Sequence, residues 1–237
     1  MNILAIESSA KAASVALGIN GELYSQYFQN NGQTHSRSIM PMIRDMLVCA
    51  GKNTNDIDAV AVSVGPGSFT GLRIGIAAAK GIAWAGDKPC IPVSTLEAMA
   101  HQISIADGII CCAMDARRGQ IYNALFSSHR GKLTRLTSDR AISIDELSIE
   151  LKKEKNTIFT IGDGASLCYN MLSCMGKDVF MAPKNLIMQS AQGVLLASQN
   201  QAVMGNAIPA SQLEPNYLRL SQAERERLEK TEKDIIK

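Results

Sequence analysis

In the first hundred residues, hydrophobic positions recur with two periods, one typical of strands and one typical of helices. Three short β-rich runs separated by turn residues predict an antiparallel meander. These runs are 2–7, 13–17 and 22–28. Apolar residues then recur at helical spacing over 35–50, and Gly51 stands where a C-terminal cap belongs. A buried strand over 58–64 and a helix over 69–85 complete the predicted order β-β-β-α-β-α.

The second half of the chain repeats this order of elements after a connecting helix over 96–103. It predicts another meander, a helix, a strand and a helix, over 109–115, 121–126, 132–136, 145–153, 157–161 and 165–175. We therefore predict an α/β protein of two related lobes, an N-terminal lobe over 1–104 and a C-terminal lobe over 105–204. For residues 205–237 we predict a C-terminal segment and a helix, which can return to the N-terminal lobe.

The amino-acid composition limits the classes of protein to which this chain can belong. The chain has 237 residues, of which 46% are hydrophobic and 19% charged, so it can bury a substantial core. The net charge of +2 is spread without a basic block, so we expect no strong grip on nucleic acid by this chain alone. The six cysteines include no C-x-x-C pair and lie mostly in apolar runs, which is typical of buried thiols in a reducing compartment.

No targeting signal is recognisable in the sequence. The opening residues lack a basic region and a small-residue cleavage site. The longest apolar stretch, 74–85, is interrupted by Lys80 and is shorter than the roughly 20 residues that a bilayer requires. We therefore expect a cytoplasmic protein without membrane association.

The strongest local signal is the glycine-rich stretch 64–75, which reads V-G-P-G-S-F-T-G-L-R-I-G. A glycine turn that leads from a strand into a helix can present backbone N–H groups to a phosphate. The stretch lacks the ending of a P-loop, and its G-x-G-x-x-x-G spacing differs from a dinucleotide fingerprint. We therefore interpret it first as a tight turn whose helix is capped by Ser68 or Thr70. A vestigial phosphate loop at Gly65, Gly67 and Ser68 stays open as the alternative.

The helix after this turn carries a strip of very small residues. Gly71, Gly75 and Ala79 recur every four positions, which would let another backbone approach closely. Because each glycine costs a helix about 1 kcal/mol relative to alanine, the strip requires a reason. Packing on the chain's own sheet is one reason and contact with a partner's helix is the other, and we expect both. The predicted partner interface comprises His35, Ile39, Met40, Ile43, Met46, Leu47, Gly71, Leu72, Arg73, Gly75, Ile76 and Ala79.

Groups that could perform chemistry are sparse. His35, His101 and His129 are far apart in sequence and form no H-x-x-x-H pair. Asp115 and Asp163 each end a predicted strand, where a carboxylate can hold magnesium, although an aspartate there more often caps a turn. We expect no catalytic residue, no metal and no cofactor.

Six short motifs are spread over nearly the whole chain. The two specific ones are the block 65–75 and Asp115-Ala116-Arg117-Arg118-Gly119. The four weaker ones are Glu7-Ser8-Ser9, His35-Ser36, Gly162-Asp163-Gly164 and Pro215-Asn216-Tyr217-Leu218-Arg219. Together they resemble the TsaB family, also called YeaZ. The resemblance implies an actin-like, Hsp70-like (ASKHA) fold, in which two related lobes each contain a mixed sheet flanked by helices.

The resemblance also implies a role. TsaB proteins are non-catalytic bacterial partners of TsaD, the enzyme that transfers a threonylcarbamoyl group to an adenosine beside the tRNA anticodon. TsaD carries a metal-binding H-x-x-x-H after its glycine block, whereas the corresponding positions here are Thr95 and Met99, which offer no imidazole. Two residues depart from the family pattern: Glu7, where relatives often have aspartate, and Arg37, where they often have glutamate.

The partners implied are a TsaD-type transferase in a heterodimer and a TsaE-type ATPase in a larger complex, with tRNA bound only through that complex. Without TsaD, the same helix faces can form a homodimer. Two enzyme classes stay open. One is an actin-like ATPase or small-molecule kinase that holds a nucleotide between 65–68 and 162–164. The other, less favoured, is a metal-dependent peptidase, which Thr95 and Met99 argue against.

Overall fold

The N-terminal lobe is built on a five-stranded mixed sheet in this computed structural model, which describes residues 1–219. Its strands are β1 (Asn2–Glu7), β2 (Ala13–Ile19), β3 (Glu22–Gln29), β4 (Ala59–Gly65) and β5 (Cys90–Ser94). They lie in the order β3-β2-β1-β4-β5. The first three strands form the predicted antiparallel meander, and β4 and β5 continue the sheet in parallel beyond β1. The helices of this half are α1 (His35–Cys49), α2 (Phe69–Ala85) and α3 (Thr95–Gln102).

The C-terminal lobe contains a second mixed sheet, of six strands. These strands are β6 (Gly108–Arg117), β7 (Gln120–His129), β8 (Lys132–Arg135), β9 (Arg140–Ser143), β10 (Ile158–Ile161) and β11 (Val179–Met181). Their order is β11-β10-β6-β7-β8, with β9 also paired to β7. The helices that follow β9 are α4 (Ile144–Leu151), α5 (Ala165–Cys174) and α6 (Ala191–Val203). Each sheet therefore joins an antiparallel meander to parallel strands, which confirms the predicted repeat.

The N-terminal sheet is buried on both faces. Alternate residues of β1 point to opposite sides of a sheet. Leu4 and Ile6 accordingly belong to the core that contains α1 and α2, whereas Ile3 and Ala5 belong to a second core on the opposite face. A strand that is covered on both sides explains why β1 reads as a continuous apolar run.

Helix α6 supplies that second cover, and the predicted lobe boundaries need correction. Val194 and Leu195 of α6 lie in one apolar cluster with Ile3 and Ala5, although the boundary at residue 204 had placed this helix in the C-terminal lobe. Helix α3, which was placed in the N-terminal lobe, contacts both sheets, because its residue Ala98 lies in the same cluster as Ile3 and Ala5. Its residues Leu96 and Met99 pack against the C-terminal sheet. Helices α3 and α6 therefore both pack across the predicted lobe boundaries.

The chain after α6 runs along the N-terminal lobe. Ile208 and Cys90 of β5 exchange two backbone hydrogen bonds of 2.8 Å. Leu213 is fully buried in the core beneath α2. The N–H of Asn216 donates to the carbonyl of Val64 at 2.7 Å. The described part of the segment 205–237 thus returns to the N-terminal lobe, and the helix predicted for its end lies outside the described residues.

Within residues 1–219, no helix has both the length and the hydropathy that crossing a bilayer demands.

Candidate functional site

The glycine turn between β4 and α2 is filled by other parts of the chain. The N–H of Ser68 donates to the carbonyl of Ser9 at 2.7 Å. A Cβ at Gly67 would overlap the same carbonyl, and a Cβ at Gly65 would overlap the carbonyl oxygen of Asn216. Glycine is needed at both positions because neighbouring backbone approaches closely. The predicted cap is present, because Ser68 Oγ accepts from the N–H of Gly71 at 3.3 Å. Gly67 and Ser68 also line the polar cavity between the lobes that is described below, so the alternative of a vestigial phosphate loop stays a prediction.

The small-residue strip of α2 faces the turn between β1 and β2. Ser8 Oγ donates to the carbonyl of Gly71 at 2.9 Å. A Cβ at Gly71 would overlap the carbonyl oxygen of Ser8, and a Cβ at Gly75 would overlap the Ser8 hydroxyl. Ala79 is fully buried. Of the two reasons that we expected for the strip, internal packing is the one that these contacts show.

The predicted partner interface is consequently corrected in most of its members. Only Met40 and Arg73 are exposed, and His35 is half-buried, with Nε2 donating to the carbonyl of Ala10 at 2.7 Å. The remaining nine are buried in this chain: Ile39, Ile43, Met46, Leu47, Gly71, Leu72, Gly75, Ile76 and Ala79. The physical reason is that helical periodicity identifies the apolar face, and that face packs first on the chain's own sheet.

The outward face of α2 lines an apolar groove of about 440 Å³ together with Met40 of α1 and residues 54–55, and we call it the outer groove. Its lining residues are Met40, Thr54, Asn55, Ala77, Ala78, Gly81, Ile82, Ala85, Gly86 and Lys88. Met40 is the large exposed apolar side chain in this lining, whereas Trp84, 77% exposed, lines a separate cavity with Pro89 and Ile208. Periodicity did not predict the groove, because the small residues of α2 produce no apolar stripe.

A buried carboxyl lies between the glycine turn and the first strand. Glu7 is fully buried, and it accepts hydrogen bonds from the N–H of Ser9 at 2.6 Å and from the hydroxyl of Ser63. Burial raises the pKa of Glu7, and the hydrogen bonds from Ser63 and Ser9 act in the opposite direction. Glu7 therefore belongs to an internal polar contact and offers no carboxylate to solvent.

The two lobes enclose a polar cavity of about 750 Å³, which we call the interlobe cleft. Lys11 lines it from the turn between β1 and β2, and Arg117 and Arg118 line it from the turn between β6 and β7. Arg219 also lines it, and its Nη1 donates to the carbonyl of Ala116 at 2.8 Å. Four positively charged side chains therefore surround this space.

Two carboxylates complete the wall of the interlobe cleft. Asp115 Oδ1 accepts from the N–H of Arg117 at 2.7 Å, so the turn-capping interpretation of Asp115 describes its contact. Asp163 Oδ1 accepts from Gln189 Nε2 at 3.1 Å, and burial raises the pKa of Asp163. A Cβ at Gly162 would overlap the carbonyl oxygen of Ala113. The Gly162–Gly164 turn thus packs on β6, with Asp163 at the wall of the cleft.

The two positions that the resemblance to the TsaB family compared with a metal-ligand pair hold buried side chains without an imidazole. Thr95 and Met99 are both fully buried in α3. Across the part of the chain that the structure describes, no three side chains of His, Cys, Asp or Glu are grouped as a metal would require. His35, His101 and His129 lie on α1, α3 and β7, respectively.

Known proteins that resemble this chain identify its family. The family model described as TsaD, tRNA N6-adenosine threonylcarbamoyltransferase, matches residues 29–226. The tRNA threonylcarbamoyladenosine biosynthesis protein TsaB of Bacillus subtilis is 33% identical, covering 94% of this chain and 96% of its own. This chain belongs to the TsaB family. The Escherichia coli TsaB is 31% identical, covering 92% of this chain and 95% of its own.

Solved structures agree with the TsaB assignment and confirm the predicted actin-like fold. YeaZ from Pseudomonas aeruginosa superimposes with a TM-score of 0.79 at 25% identity, covering 92% of this chain and 99% of that one. An activator of 2-hydroxyisocaproyl-CoA dehydratase from Clostridium difficile superimposes with a TM-score of 0.52 at 11% identity, covering 86% and 97%. The second likeness concerns the fold alone. TsaB proteins and their distant structural neighbours thus share the two-lobed architecture.

Proposed function

We propose that this chain is a non-catalytic scaffold that binds and activates a TsaD-type threonylcarbamoyl transferase for tRNA threonylcarbamoyladenosine modification. Its near full-length relatives are named for that biosynthesis, which supports the pathway. The match of the TsaD family model to residues 29–226 supports the partner, because chains of related fold can pair through equivalent surfaces.

The outer groove is the observation that carries the proposed heterodimer. Exposed apolar patches beside a groove mark protein interaction sites, and a helix is the usual occupant of such a groove. Met40 supplies a large exposed apolar side chain, and the small side chains of Ala77 and Gly81 allow a partner's helix to approach closely. The proposed interface therefore stays on α1 and α2 but uses their outward faces.

The same proposal holds that this chain has no catalytic activity of its own. Thr95 and Met99 supply no imidazole where TsaD has its ligand pair, which argues against the metal-dependent peptidase. The close packing of Gly65 and Gly162 on neighbouring carbonyl groups argues against the ATPase or kinase, because contacts within the chain already explain glycine at these positions. The scaffold is the alternative that these contacts favour.

The wider assembly follows from the proposed pathway. We place a TsaE-type ATPase in a larger complex with the heterodimer, and tRNA on the complex rather than on this chain alone. The setting is the cytoplasm, where tRNA is modified. When no TsaD-type partner is present, the outer groove pairs with a second copy of the chain, because the same apolar surface would otherwise stay in water.

The first experiment measures affinity for a purified TsaD-type protein. Ala77→Glu places an unpaired charge in the outer groove, so we expect affinity to fall by about a hundredfold or more. Ile149→Glu makes a similar change at a 72% exposed side chain of α4, far from the groove, and should leave affinity unchanged. Equal affinity for wild type and Ala77→Glu would contradict the proposed interface.

The second experiment measures tRNA modification with purified components. We expect full modification only when this chain is added to the transferase, the ATPase and the enzyme that makes the threonylcarbamoyl adenylate. The chain alone should transfer nothing. Modification at the full rate in its absence, or transfer by the isolated chain, would overturn the scaffold role.

A further inference from the structure

The cavity beside the end of α2 contains the single tryptophan of the chain. Trp84 lines this space of about 530 Å³ together with Pro89, Ile208 and Pro209, and we call it the Trp84 shelf. The indole is largely exposed, whereas tryptophan side chains in folded proteins are buried over most of their surface. An exposed aromatic ring beside apolar side chains is typical of a surface that binds another protein.

Asp87 lines the same shelf in a backbone position that suits glycine better. The N–H of Lys88 donates to the carbonyl of Ala83 at 2.8 Å. The N–H of Asp87 donates to the carbonyl of Trp84 at 3.4 Å. These two bonds form the Schellman motif that ends many helices, and its left-handed residue is most often glycine. Here that residue is Asp87, with a φ of 48°, so the backbone pays a cost that glycine would avoid.

The carboxylate of Asp87 also lies at the unfavourable end of α2. The C-terminus of a helix carries partial negative charge, so an acidic side chain there is repelled. Within residues 1–219, the Asp87 side chain forms no ion pair or hydrogen bond that would offset this repulsion. The adjacent Lys88 does not neutralise it, because its Nζ donates to the carbonyls of Asn55 and Ile57. Unfavourable groups that are retained at a cavity wall point to a use.

The features of the Trp84 shelf all attract a cation. The helix end and the Asp87 carboxylate contribute negative charge, and the face of an indole ring attracts positively charged groups. Arginine suits this combination better than lysine, because its planar guanidinium can stack on a ring while it donates paired hydrogen bonds to a carboxylate. The shelf adjoins the outer groove, since Lys88 lines both cavities. A protein seated in the groove would therefore reach the shelf.

We propose that Trp84 and Asp87 bind an arginine side chain of the TsaD-type partner. This inference rests on the proposed docking in the outer groove and adds a charged contact at its edge. The guanidinium stacks on the indole and pairs with the carboxylate, which replaces the repulsion at the end of α2 by attraction. Tryptophan and arginine are also enriched among the residues that dominate binding energy at protein interfaces.

Affinity of the full chain for a purified TsaD-type protein tests this contact. Asp87→Gly and Asp87→Asn both remove the charge and both suit the left-handed backbone, so each should raise the midpoint of thermal unfolding of the isolated chain. We nevertheless expect each to weaken partner binding by about tenfold at low salt, because a charge-assisted hydrogen bond is lost. The difference from the wild type should shrink at high salt, which screens exposed charges. A purely structural role for Asp87 would instead lower the unfolding midpoint of both variants.

The indole is tested in the same measurement. Trp84→Leu should weaken binding by about tenfold, and Trp84→Phe should recover part of the loss, since it restores an aromatic face. Two substitutions outside both cavities serve as controls and should keep wild-type affinity. They are Asp145→Asn, at an exposed position of α4, and Phe180→Leu, which removes a 54% exposed ring from β11.

The outcomes separate this contact from the docking on which it rests. Unchanged affinity in the Asp87 and Trp84 variants, with binding lost in Ala77→Glu, would overturn the arginine contact and leave the docking in place. Loss in Trp84→Leu without loss in the Asp87 variants would show an apolar contact and would also overturn the proposal. Unchanged affinity in Ala77→Glu would contradict the docking itself.

Discussion

Glu7 shows how one buried group can make stability depend on pH. Its ordinary pKa is 4.5, and burial raises that pKa in the folded protein. The folded state therefore holds the proton more tightly than the unfolded state does. This contribution to stability is fully present below the ordinary pKa, and it is lost as pH rises through the raised pKa of the folded state.

We predict that Glu7→Gln removes this loss of stability with rising pH. The variant keeps the shape of the side chain and cannot ionise. Between the two pKa values, its advantage in unfolding free energy over the wild type should grow by about 1 kcal/mol per pH unit. Urea unfolding at several pH values from 4 to 8 measures the difference. Glu22→Gln, at an exposed position of β3, should run parallel to the wild type. Parallel profiles for Glu7→Gln would contradict the prediction.

At the scale of an element, α2 contains glycines that serve different purposes. Gly71 contacts the turn between β1 and β2, whereas Gly81 has nothing within 4 Å of the position that a Cβ would occupy. We predict that Gly71→Ala lowers the unfolding free energy by about 2 kcal/mol, because the new methyl group meets the Ser8 backbone. Gly81→Ala should raise it by up to about 1 kcal/mol through helix propensity alone. Urea unfolding of the isolated chain measures both, and stabilisation by both substitutions would show that the strip is not tightly packed.

The same helices show what periodicity reveals and what it leaves out. The pattern predicted helices over 35–50 and 69–85, and the structure has His35–Cys49 and Phe69–Ala85. It also identified their apolar faces, but it could not tell whether those faces meet the chain's own sheet or a partner. Three short strands were missed. Arg140–Ser143 and Val179–Met181 have four and three half-exposed residues, which carry too little alternation to detect, and Cys90–Ser94 contains Pro92, which is atypical of a strand. The nucleotide alternative had placed 65–68 and 162–164 around one space, and Gly67, Ser68 and Asp163 do line the interlobe cleft. That Lys11 and Arg118 line it too was not predictable, because only tertiary packing brings them to the same cavity.

At the scale of the whole molecule, the segment after α6 connects both lobes. Tyr217 stacks on Phe69 with ring centroids 4.0 Å apart, and its hydroxyl accepts from Arg73 Nε at 2.8 Å. Two residues later, Arg219 reaches the carbonyl of Ala116 in the C-terminal lobe. The sequence marked 215–219 as a motif, but contacts over more than 100 positions leave no local pattern. This short segment therefore ties the start of α2 to the edge of the interlobe cleft.

We predict that Tyr217→Ala loosens this connection. Loss of the stacked ring should lower the unfolding free energy by about 2 kcal/mol and should speed hydrogen exchange at the N–H of Asn216. Tyr24→Ala, which removes a 57% exposed ring from β3, is the matched control and should leave that exchange rate unchanged. Exchange at Asn216 that is equally slow in all three proteins would show that the stacked ring does not hold the segment.

The path of α6 has a consequence for how the polypeptide is made. The second face of the N-terminal sheet is covered by residues that follow the entire C-terminal lobe in the sequence. The ribosome must therefore synthesise the chain through α6 before the N-terminal lobe, which emerges first, can complete its core. Until then, Ile3, Ala5 and Ala16 form a bare apolar surface on the nascent chain, of the kind that chaperones bind. The N-terminal lobe therefore remains incomplete during synthesis until α6 packs on its sheet.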